Sequence, residues 1–365
     1  MKVTYIVKSK LHFYPPCVTQ IRLLKELGVD VDVIYGSCEA NVLNIFSNEG
    51  IPYKGLCDKR GRYKGTLDKL NNWYSFRKAL KKELNTRDLS STLLWFGNAE
   101  TLLPMMGLLS GKKYAITFLE LLDDHPFRMR VLRKLAQKAL FNVSCEETRS
   151  YIMKFWWKLD KLPYTMPNKP YDDPVVFKDL TDNQAKTLLK RIEGKKFVIY
   201  QGIVKEANIL RQFARAMNRV SDDFLLLIMG PDPDNIIPEI KRESSKVVYS
   251  TYISAPNHLQ VTSRARMGIV YYNGDSTLNR AYCAPNKIYE YSAFGMPMIA
   301  NNIPGLKNTV GMCGAALCID LEEDMIVEAI EYIDSNYLEM SNKSREFYES
   351  TDIKMIMKRI IDENI

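Results

Sequence analysis

Short apolar runs alternate with helix-like segments along most of this chain, and this alternation limits the possible fold more than any other feature. Buried strands are predicted at residues 3–7, 29–35, 92–96, 114–119 and 142–145. Helices are predicted at 67–84 and 129–140, another ends at Gly28, and the proline-containing stretch 8–16 is predicted to be a loop. Apolar strands separated by helices are typical of a parallel sheet that is covered on both faces.

The series is interrupted once and then starts again. Residues 161–173 contain three prolines and no helical period, which predicts a linker. Beyond it, strands are predicted at 196–200, 224–229, 247–249, 267–270 and 298–300, with a helix at 207–220. We therefore predict two α/β domains, at 1–168 and 169–345, and a final segment, 346–365, whose helix can pack back on the first domain.

Composition supports a folded protein of two ordinary domains. The 365 residues are 46% hydrophobic and 26% charged, which argues against wholesale disorder. No apolar stretch is long enough to span a bilayer, and the apolar run at the start is too short for a signal peptide, so a cytoplasmic location is expected. The seven cysteines form no Cys-x-x-Cys pair, which disfavours a disulfide framework or a zinc site.

Positive charge is concentrated in the first half of the chain. The net charge is +8 overall and +11 through Asn168, with basic clusters at 54–82 and 128–138. Such a field suits an anionic surface or a phosphate-bearing acceptor, and we expect contact with the inner face of a cell membrane. The aromatic residues interleaved with the first cluster suit a lipid headgroup layer; they are Tyr63, Trp73, Tyr74 and Phe76. The alternative is a solvated helix face.

The clearest chemical pattern is CAPNKIYEYSAFGMPMIA, at residues 283–300. A glycine and a proline end the helix predicted within it. If Pro285 is the first helical residue, the cap position falls to Ala284, and the amides of the first turn are free to bind an anion such as a pyrophosphate. If Asn286 is the cap instead, this argument is weaker.

Asn286, Lys287 and Glu290 lie three or four positions apart and therefore share one face of that helix. A cation beside free amides suits phosphates, and a carboxylate one turn further can accept two hydrogen bonds from a ribose diol. The alternative is a surface ion pair without a ligand.

The longer segment APNKIYEYSAFGMPMIANNIPG resembles the donor-binding signature of retaining glycosyltransferases with the GT-B architecture, of the group 1 or family 4 type that builds bacterial surface polysaccharides. Further segments are similar in the expected order: FVIYQGIVKEANILRQFARAM, FLLLIMGPDPD and VVYSTYISAPNHLQVTSRARMGIVYYN in the second domain and, more loosely, YPPCVTQIRLLKELGVDVDVI in the first. The resemblance implies two Rossmann-like parallel-sheet domains that face each other across a cleft.

The same resemblance implies transfer of a sugar, with retention, from a nucleotide-sugar donor to a glycan or lipid-linked acceptor. It implies no metal ion and no cofactor besides the nucleotide sugar itself. By position, Glu290 binds the donor ribose, while Asn286 and Lys287 line the pyrophosphate beside Pro285. Gly202 allows the backbone of the facing loop to approach the pyrophosphate.

The resemblance also implies the surroundings of the base and the sugar. Tyr252 and Ile253 would lie near the base. In the family a second glutamate often contacts the sugar, and here Tyr282 holds that position. Many members place basic residues directly after the donor-domain glycine, and here Lys205 is the nearest one.

Weaker candidates lie after predicted strands of the first domain, where ligands of parallel sheets bind. Glu120 and His125 are candidate catalytic residues, and His12 and Tyr14 are candidates for the acceptor side. The alternatives are a solvated loop histidine or a helix-capping acid.

The remaining motifs are absent or have no clear functional meaning. The aspartate pair at 123–124 is interpreted as loop polarity rather than a metal site, and His258 as structural or exposed. No dinucleotide-binding, P-loop or hydrolase motif occurs, and the basic half lacks a nucleic-acid motif. Two rival hypotheses stay open: a nucleotide-sugar 2-epimerase of the same architecture, and a non-catalytic nucleotide-binding protein.

Overall fold

The structure, a computed structural model, describes residues 1–56, 66–173 and 179–365. It divides into two compact units. Unit 1 comprises Met1–Tyr171, Thr277–Asn279 and Asp352–Ile365, and unit 2 comprises Asp172–Ser276 and Arg280–Thr351. The final segment predicted at 346–365 is thus divided between the two units.

Unit 1 is built on a parallel sheet. Its strands are β1 (Lys2–Lys10), β2 (Val31–Ser37), β3 (Tyr53–Gly55), β4 (Thr92–Phe96), β5 (Tyr114–Phe118), β6 (Phe141–Ser144) and β7 (Tyr164–Thr165). Its first helices are α1 (Pro15–Glu26), α2 (Ala40–Asn48), α3 (Thr66–Leu84), α4 (Ala99–Leu102), α5 (Pro126–Ala136) and α6 (Glu147–Trp156). The described strands pair in the order β3-β2-β1-β4-β5-β6-β7, and every pair is parallel.

Unit 2 repeats this plan. Its strands are β8 (Lys196–Gln201), β9 (Phe224–Met229), β10 (Val247–Ser250), β11 (Met267–Val270), β12 (Met298–Asn301) and β13 (Ala316–Ile319). The helices that follow along the chain are α7 (Asn183–Arg191), α8 (Ala207–Met217), α9 (Ile237–Glu243), α10 (Leu259–Thr262), α11 (Leu278–Ala281), α12 (Asn286–Ala293), α13 (Pro304–Leu306), α14 (Glu323–Ser335) and α15 (Tyr337–Ser350). The described strands pair in parallel in the order β10-β9-β8-β11-β12-β13.

These two sheets confirm the predicted pair of Rossmann-like parallel-sheet domains. The strands are buried on both faces: β4, for example, has no exposed residue. Because all strands of a sheet run the same way, their carboxyl ends lie at one edge, where polar side chains and glycines collect.

The predicted loop at 8–16 is wrong. β1 continues through Lys10, and the Lys8 side chain is fully buried. α1 already begins at Pro15, because a proline in the first turn has no backbone N–H to leave unpaired.

The boundary between the two units, Tyr171 to Asp172, lies within the predicted linker at 161–173, but most of this stretch is not a linker. It contains β7, which pairs with β6 through Val143 and Tyr164, so this stretch belongs to unit 1. A strand of two residues is too short to leave an alternating pattern in the sequence.

The last helix, α16 (Ile353–Asn364), also belongs to unit 1. It buries Ile353, Met357 and Ile360 in the same apolar core as α1 and β1. None of the helices within the described ranges is both long and apolar enough to cross a membrane.

Candidate functional site

Two glycines bring backbone into close contact at the carboxyl edge of the sheet in unit 2. Gly202 follows β8 with φ +131°, and Gly230 follows β9 with φ +147°. A Cβ on Gly230 would lie 2.0 Å from the carbonyl oxygen of Gly202, so only glycine fits there. A Cβ on Gly202 would lie 3.4 Å from the Lys287 Nζ, which places this ammonium directly over the turn.

The first turn of α12 lies at the same edge. Pro285 has extended φ and ψ (−76°, 140°) and occupies the cap position itself, which corrects both placements considered from the sequence. Pro285 supplies no side-chain cap to the helix, since proline carries no acceptor. The first-turn amides, which begin at Asn286, are therefore left for water or an anionic ligand, and the helix dipole favours the anion.

Lys287 adds a positive charge beside these amides. Its side chain is half-buried, and its Nζ lies 4.3 Å from the ring centroid of Tyr200. Burial lowers the pKa of Lys287 to about 8, although the nearby Glu290 carboxylate acts in the opposite direction. A cation this poorly solvated gains more from a bound anion than a surface lysine does.

Glu290, one turn further along α12, is held from one side. Gln201 Nε2 donates a hydrogen bond to its Oε2, and Thr262 Oγ1 in turn donates to Gln201 Oε1 at 2.6 Å. His258 Nε2 lies 3.7 Å from the same Oε2. Oε1 has no hydrogen-bond partner among the described residues, so it is open to a donor from a ligand.

Three of these groups were missed or misread in the sequence. Gln201 and Thr262 have no local motif; the only signal is that Gln201 is a polar residue at the end of a buried strand. The interpretation of His258 as structural or exposed is incomplete, because it is partly buried beside Glu290 and its buried Nδ1 has no partner in the described part of the chain.

The other predicted donor-side residues lie around this edge with weaker contacts. Lys205 is exposed, and its carbonyl accepts a hydrogen bond from Tyr271 at 2.6 Å. Tyr252 is 63% exposed, whereas Ile253 is buried. Tyr282 is half-buried, and its backbone packs closely against Gly305. The structure thus brings together Gly202, Asn286, Lys287 and Glu290.

The candidates in unit 1 are spread over two loops. His12 accepts a hydrogen bond from the Glu39 N–H at its Nδ1, at 3.2 Å, and burial lowers its pKa. Glu120 and His125 are exposed after β5, and His125 lies 3.8 Å from the Asp124 carboxylate.

Asp123 does more than supply loop polarity. Its carboxylate accepts hydrogen bonds from the backbone N–H groups of Leu278 and Asn279, at 2.6 and 3.2 Å. It therefore anchors the segment Thr277–Asn279 in unit 1, which corrects the interpretation from the sequence. Across the described ranges, no group of three or more His, Cys, Asp or Glu side chains is arranged to hold a metal ion.

The basic surface predicted at 54–82 is only partly described. Lys59, Arg60, Arg62, Tyr63 and Lys64 lie outside the described residues.

Within the described part, Lys54 pairs with Glu83, and Arg77 donates to the carbonyls of Pro104 and Met106. Of the aromatic side chains, Tyr74 is 68% exposed. Phe76 is buried in the core, which corrects its assignment to a lipid-facing layer.

The chain matches solved structures over its whole length. HepE from Anabaena in complex with UDP and glucose is 12% identical, with a TM-score of 0.73, and the match covers 100% of this chain and 99% of that one. Sucrose-phosphate synthase from Thermosynechococcus elongatus is 13% identical, with a TM-score of 0.68 and coverage of 100% and 99%. The UDP-GlcNAc 2-epimerase from Neisseria meningitidis, bound to UDP-GlcNAc, is 11% identical, with a TM-score of 0.66 and coverage of 99% of each chain.

At this level of identity the likeness shows the fold, which is GT-B. No protein-family model matches the sequence, and no curated protein matches it.

Proposed function

We propose that this protein is a glycosyltransferase that moves a sugar from a nucleotide-sugar donor to a hydroxyl of a glycan or lipid-linked acceptor. The observation that carries the proposal is the edge of unit 2, where the uncapped first turn of α12 carries the Lys287 ammonium beside Gly202 and the Glu290 carboxylate beside Gln201. The free amides and the ammonium suit a diphosphate, and the carboxylate one turn further suits the hydroxyls of a ribose. The structures of HepE with UDP and with UDP-glucose support a uridine donor for the same fold.

The transfer breaks the bond between the anomeric carbon and the diphosphate oxygen, and the electron pair leaves on that oxygen. The acceptor hydroxyl oxygen forms the new bond to the anomeric carbon, with retention, and its proton passes to the departing phosphate. Lys287 and the first-turn amides stabilise the negative charge that grows on the leaving group, so they act mainly in the transition state. We propose that these positive groups replace a metal ion.

Calorimetric titration with UDP tests the proposed donor site. We expect Lys287→Met to weaken UDP binding about tenfold or more, because a charge-assisted contact is lost. Glu290→Gln should weaken UDP and uridine alike, since both contain the ribose. Exposed residues of unit 2 provide the controls, Lys241→Met and Glu331→Gln, which should bind UDP as the wild type does. Equal binding by all four variants would contradict the proposal.

A nucleotide-sugar 2-epimerase is the second candidate, because the Neisseria meningitidis epimerase shares the fold. Incubation with UDP-GlcNAc in the absence of an acceptor separates the two functions. Epimerisation at C2, seen by proton NMR, would favour the epimerase. UDP-GlcNAc that stays unchanged alone, but is consumed once a glycan acceptor is added, would favour transfer.

We further propose that unit 1 meets its acceptor at an anionic membrane surface during polysaccharide synthesis. Lys78, Lys81 and Lys82 on α3 and Arg130 and Lys134 on α5 are exposed. Attraction between exposed charges is screened by salt. Vesicles rich in phosphatidylglycerol should therefore bind the protein at about 0.05 M salt and no longer bind it at about 0.5 M salt. Vesicles of phosphatidylcholine alone are the control, and equal binding to both would remove this part of the proposal.

A further inference from the structure

A cavity of about 580 Å³ lies at the amino ends of β6 and β7 in unit 1. These strands begin at Phe141 and Tyr164, and both residues line the cavity. The candidates Glu120 and His125 follow β5 and therefore lie toward the other edge of this sheet, where its strands end. The volume is typical of a small-molecule site. The cavity is thus a place for a ligand that is separate from every candidate site described above.

The cavity exists because β7 is too short to cover the start of β6. The pairing of the two strands runs through the last two residues of β6, and Phe141 and Asn142 precede it. Both of these residues line the cavity, and Ile356 of α16 lines it as well. Protein interiors are closely packed, so a space of this size beside a sheet edge is more than a packing defect.

Asn142 brings a buried acceptor to this cavity. Its side chain is only 8% exposed, and its Nδ2 donates a hydrogen bond to the Ala136 carbonyl at 3.1 Å. This contact identifies the nitrogen of the amide, and Oδ1 has no hydrogen-bond partner in the described part of the chain. A buried acceptor without a partner is unfavourable, so a ligand that brings an N–H or O–H group is favoured here.

The remaining walls are mainly apolar. Phe141 is buried and packs edge-on against Tyr164, with ring centroids 5.8 Å apart. Leu159 is buried, whereas Leu140 and Leu162 are 39% and 41% exposed. Leucines and aromatic rings that line one concave site offer a surface to an apolar ring.

The charges around the cavity cancel. Its lining contains two acidic and two basic side chains, which are Asp160, Glu363, Lys161 and Arg359. Glu363 is already bound, because Arg359 Nε donates to its Oε1 at 2.8 Å and the Tyr164 hydroxyl donates to its Oε2. A lining with no net charge attracts neither an anion nor a cation over a neutral molecule.

We propose that this cavity binds a neutral aromatic molecule whose ring N–H or hydroxyl donates a hydrogen bond to Asn142 Oδ1. The apolar walls receive the ring, and the single buried acceptor fixes its orientation. The inference goes beyond the proposed transferase function and does not depend on it, because the proposed donor site lies in unit 2.

Indole and benzofuran test the proposal in the unchanged chain, because they have nearly the same shape and only indole carries an N–H. Saturation-transfer NMR titration measures the affinity of each. We expect indole to bind with a Kd of about 1 mM and benzofuran to bind about fivefold more weakly. A purely apolar site would bind benzofuran at least as well as indole. Equal affinity, or displacement of indole by UDP, would overturn the inference.

Asn142→Leu removes the acceptor and keeps the side chain close to its size. The Ala136 carbonyl still accepts from the Ala139 N–H at 3.3 Å, so the variant is expected to fold, which a circular dichroism melt checks. It should bind indole and benzofuran equally, because the preference for indole depends on Oδ1. A preference for indole that persists in Asn142→Leu would assign the hydrogen bond to another group and contradict the proposal.

A second variant tests the position of the site. Ala139 lines the cavity, and Ala139→Trp should fill it and abolish binding of both compounds. Lys138→Trp is the matched control, because it adds the same side chain at an exposed neighbour outside the lining and should bind indole as the wild type does. If Ala139→Trp binds indole as well as Lys138→Trp does, the compound occupies another place and the inference is wrong.

Discussion

Lys287 makes the donor site sensitive to pH. Its pKa is lowered to about 8 by burial, so the free protein loses this charge at a pH where an ordinary lysine keeps it. A bound diphosphate favours the charged form, and binding above pH 8 must therefore take up a proton. UDP affinity should fall by at most tenfold per pH unit above about pH 8.

Calorimetry across pH 6.5–9.5 measures this slope, and buffers of different ionisation enthalpy reveal the proton uptake. Lys287→Arg is the control, because a guanidinium stays charged throughout and should flatten the profile. A slope that persists in Lys287→Arg would assign the titration to another group.

At the residue scale, the sequence was most informative where the chemistry was local. Lys287 and Glu290 lie one turn apart on a helix, and spacing alone predicts that they share a face. Gln201 and Thr262 reach Glu290 from distant parts of the chain. No spacing rule connects such positions, so only the fold reveals them.

The glycine turns after β8 and β9 are the element on which the donor site depends. Gly230→Ala would place a Cβ against the carbonyl of Gly202, and backbone cannot yield as a flexible side chain can. We expect a loss of unfolding free energy of about 3 kcal/mol or more, with weaker UDP binding because Gly202 moves. Urea unfolding followed by circular dichroism measures the stability.

Gly194→Ala is the matched control for backbone strain alone. Gly194 also has a positive φ, +75°, but its Cβ would meet nothing within 4 Å. Gly194→Ala should lower the unfolding free energy by only about 1–2 kcal/mol, the penalty of an alanine in the left-handed conformation. If Gly230→Ala is no more destabilising than Gly194→Ala, the close contact of the two turns is contradicted.

At the element scale, long apolar strands were predictable and short edge elements were not. The strands at 92–96 and 224–229 are confirmed to the residue, because each has five buried residues and is almost entirely apolar. β7 has two residues and lies among prolines, where pattern and propensity both indicate a linker. Its pairing with β6 is a tertiary effect.

At the scale of the whole molecule, the alternation of strands and helices predicts two α/β domains, and both sheets are present. What the sequence does not reveal is that unit 1 is assembled from three stretches of the chain. Thr277–Asn279 joins it through two hydrogen bonds to Asp123, and α16 through three buried apolar side chains. Such contacts depend on where the chain returns in space, which local periodicity does not contain.

The return of α16 gives unit 1 a measurable dependence on the end of the chain. Ile360 is fully buried, so Ile360→Ala should lower the unfolding free energy of unit 1 by about 2–5 kcal/mol through the cavity it leaves. All four tryptophans, at positions 73, 95, 156 and 157, lie in unit 1, and their fluorescence therefore reports this unit selectively. Lys358→Ala changes an exposed residue of the same helix and should leave the fluorescence transition in place. If Ile360→Ala leaves it in place as well, α16 does not belong to the core of unit 1.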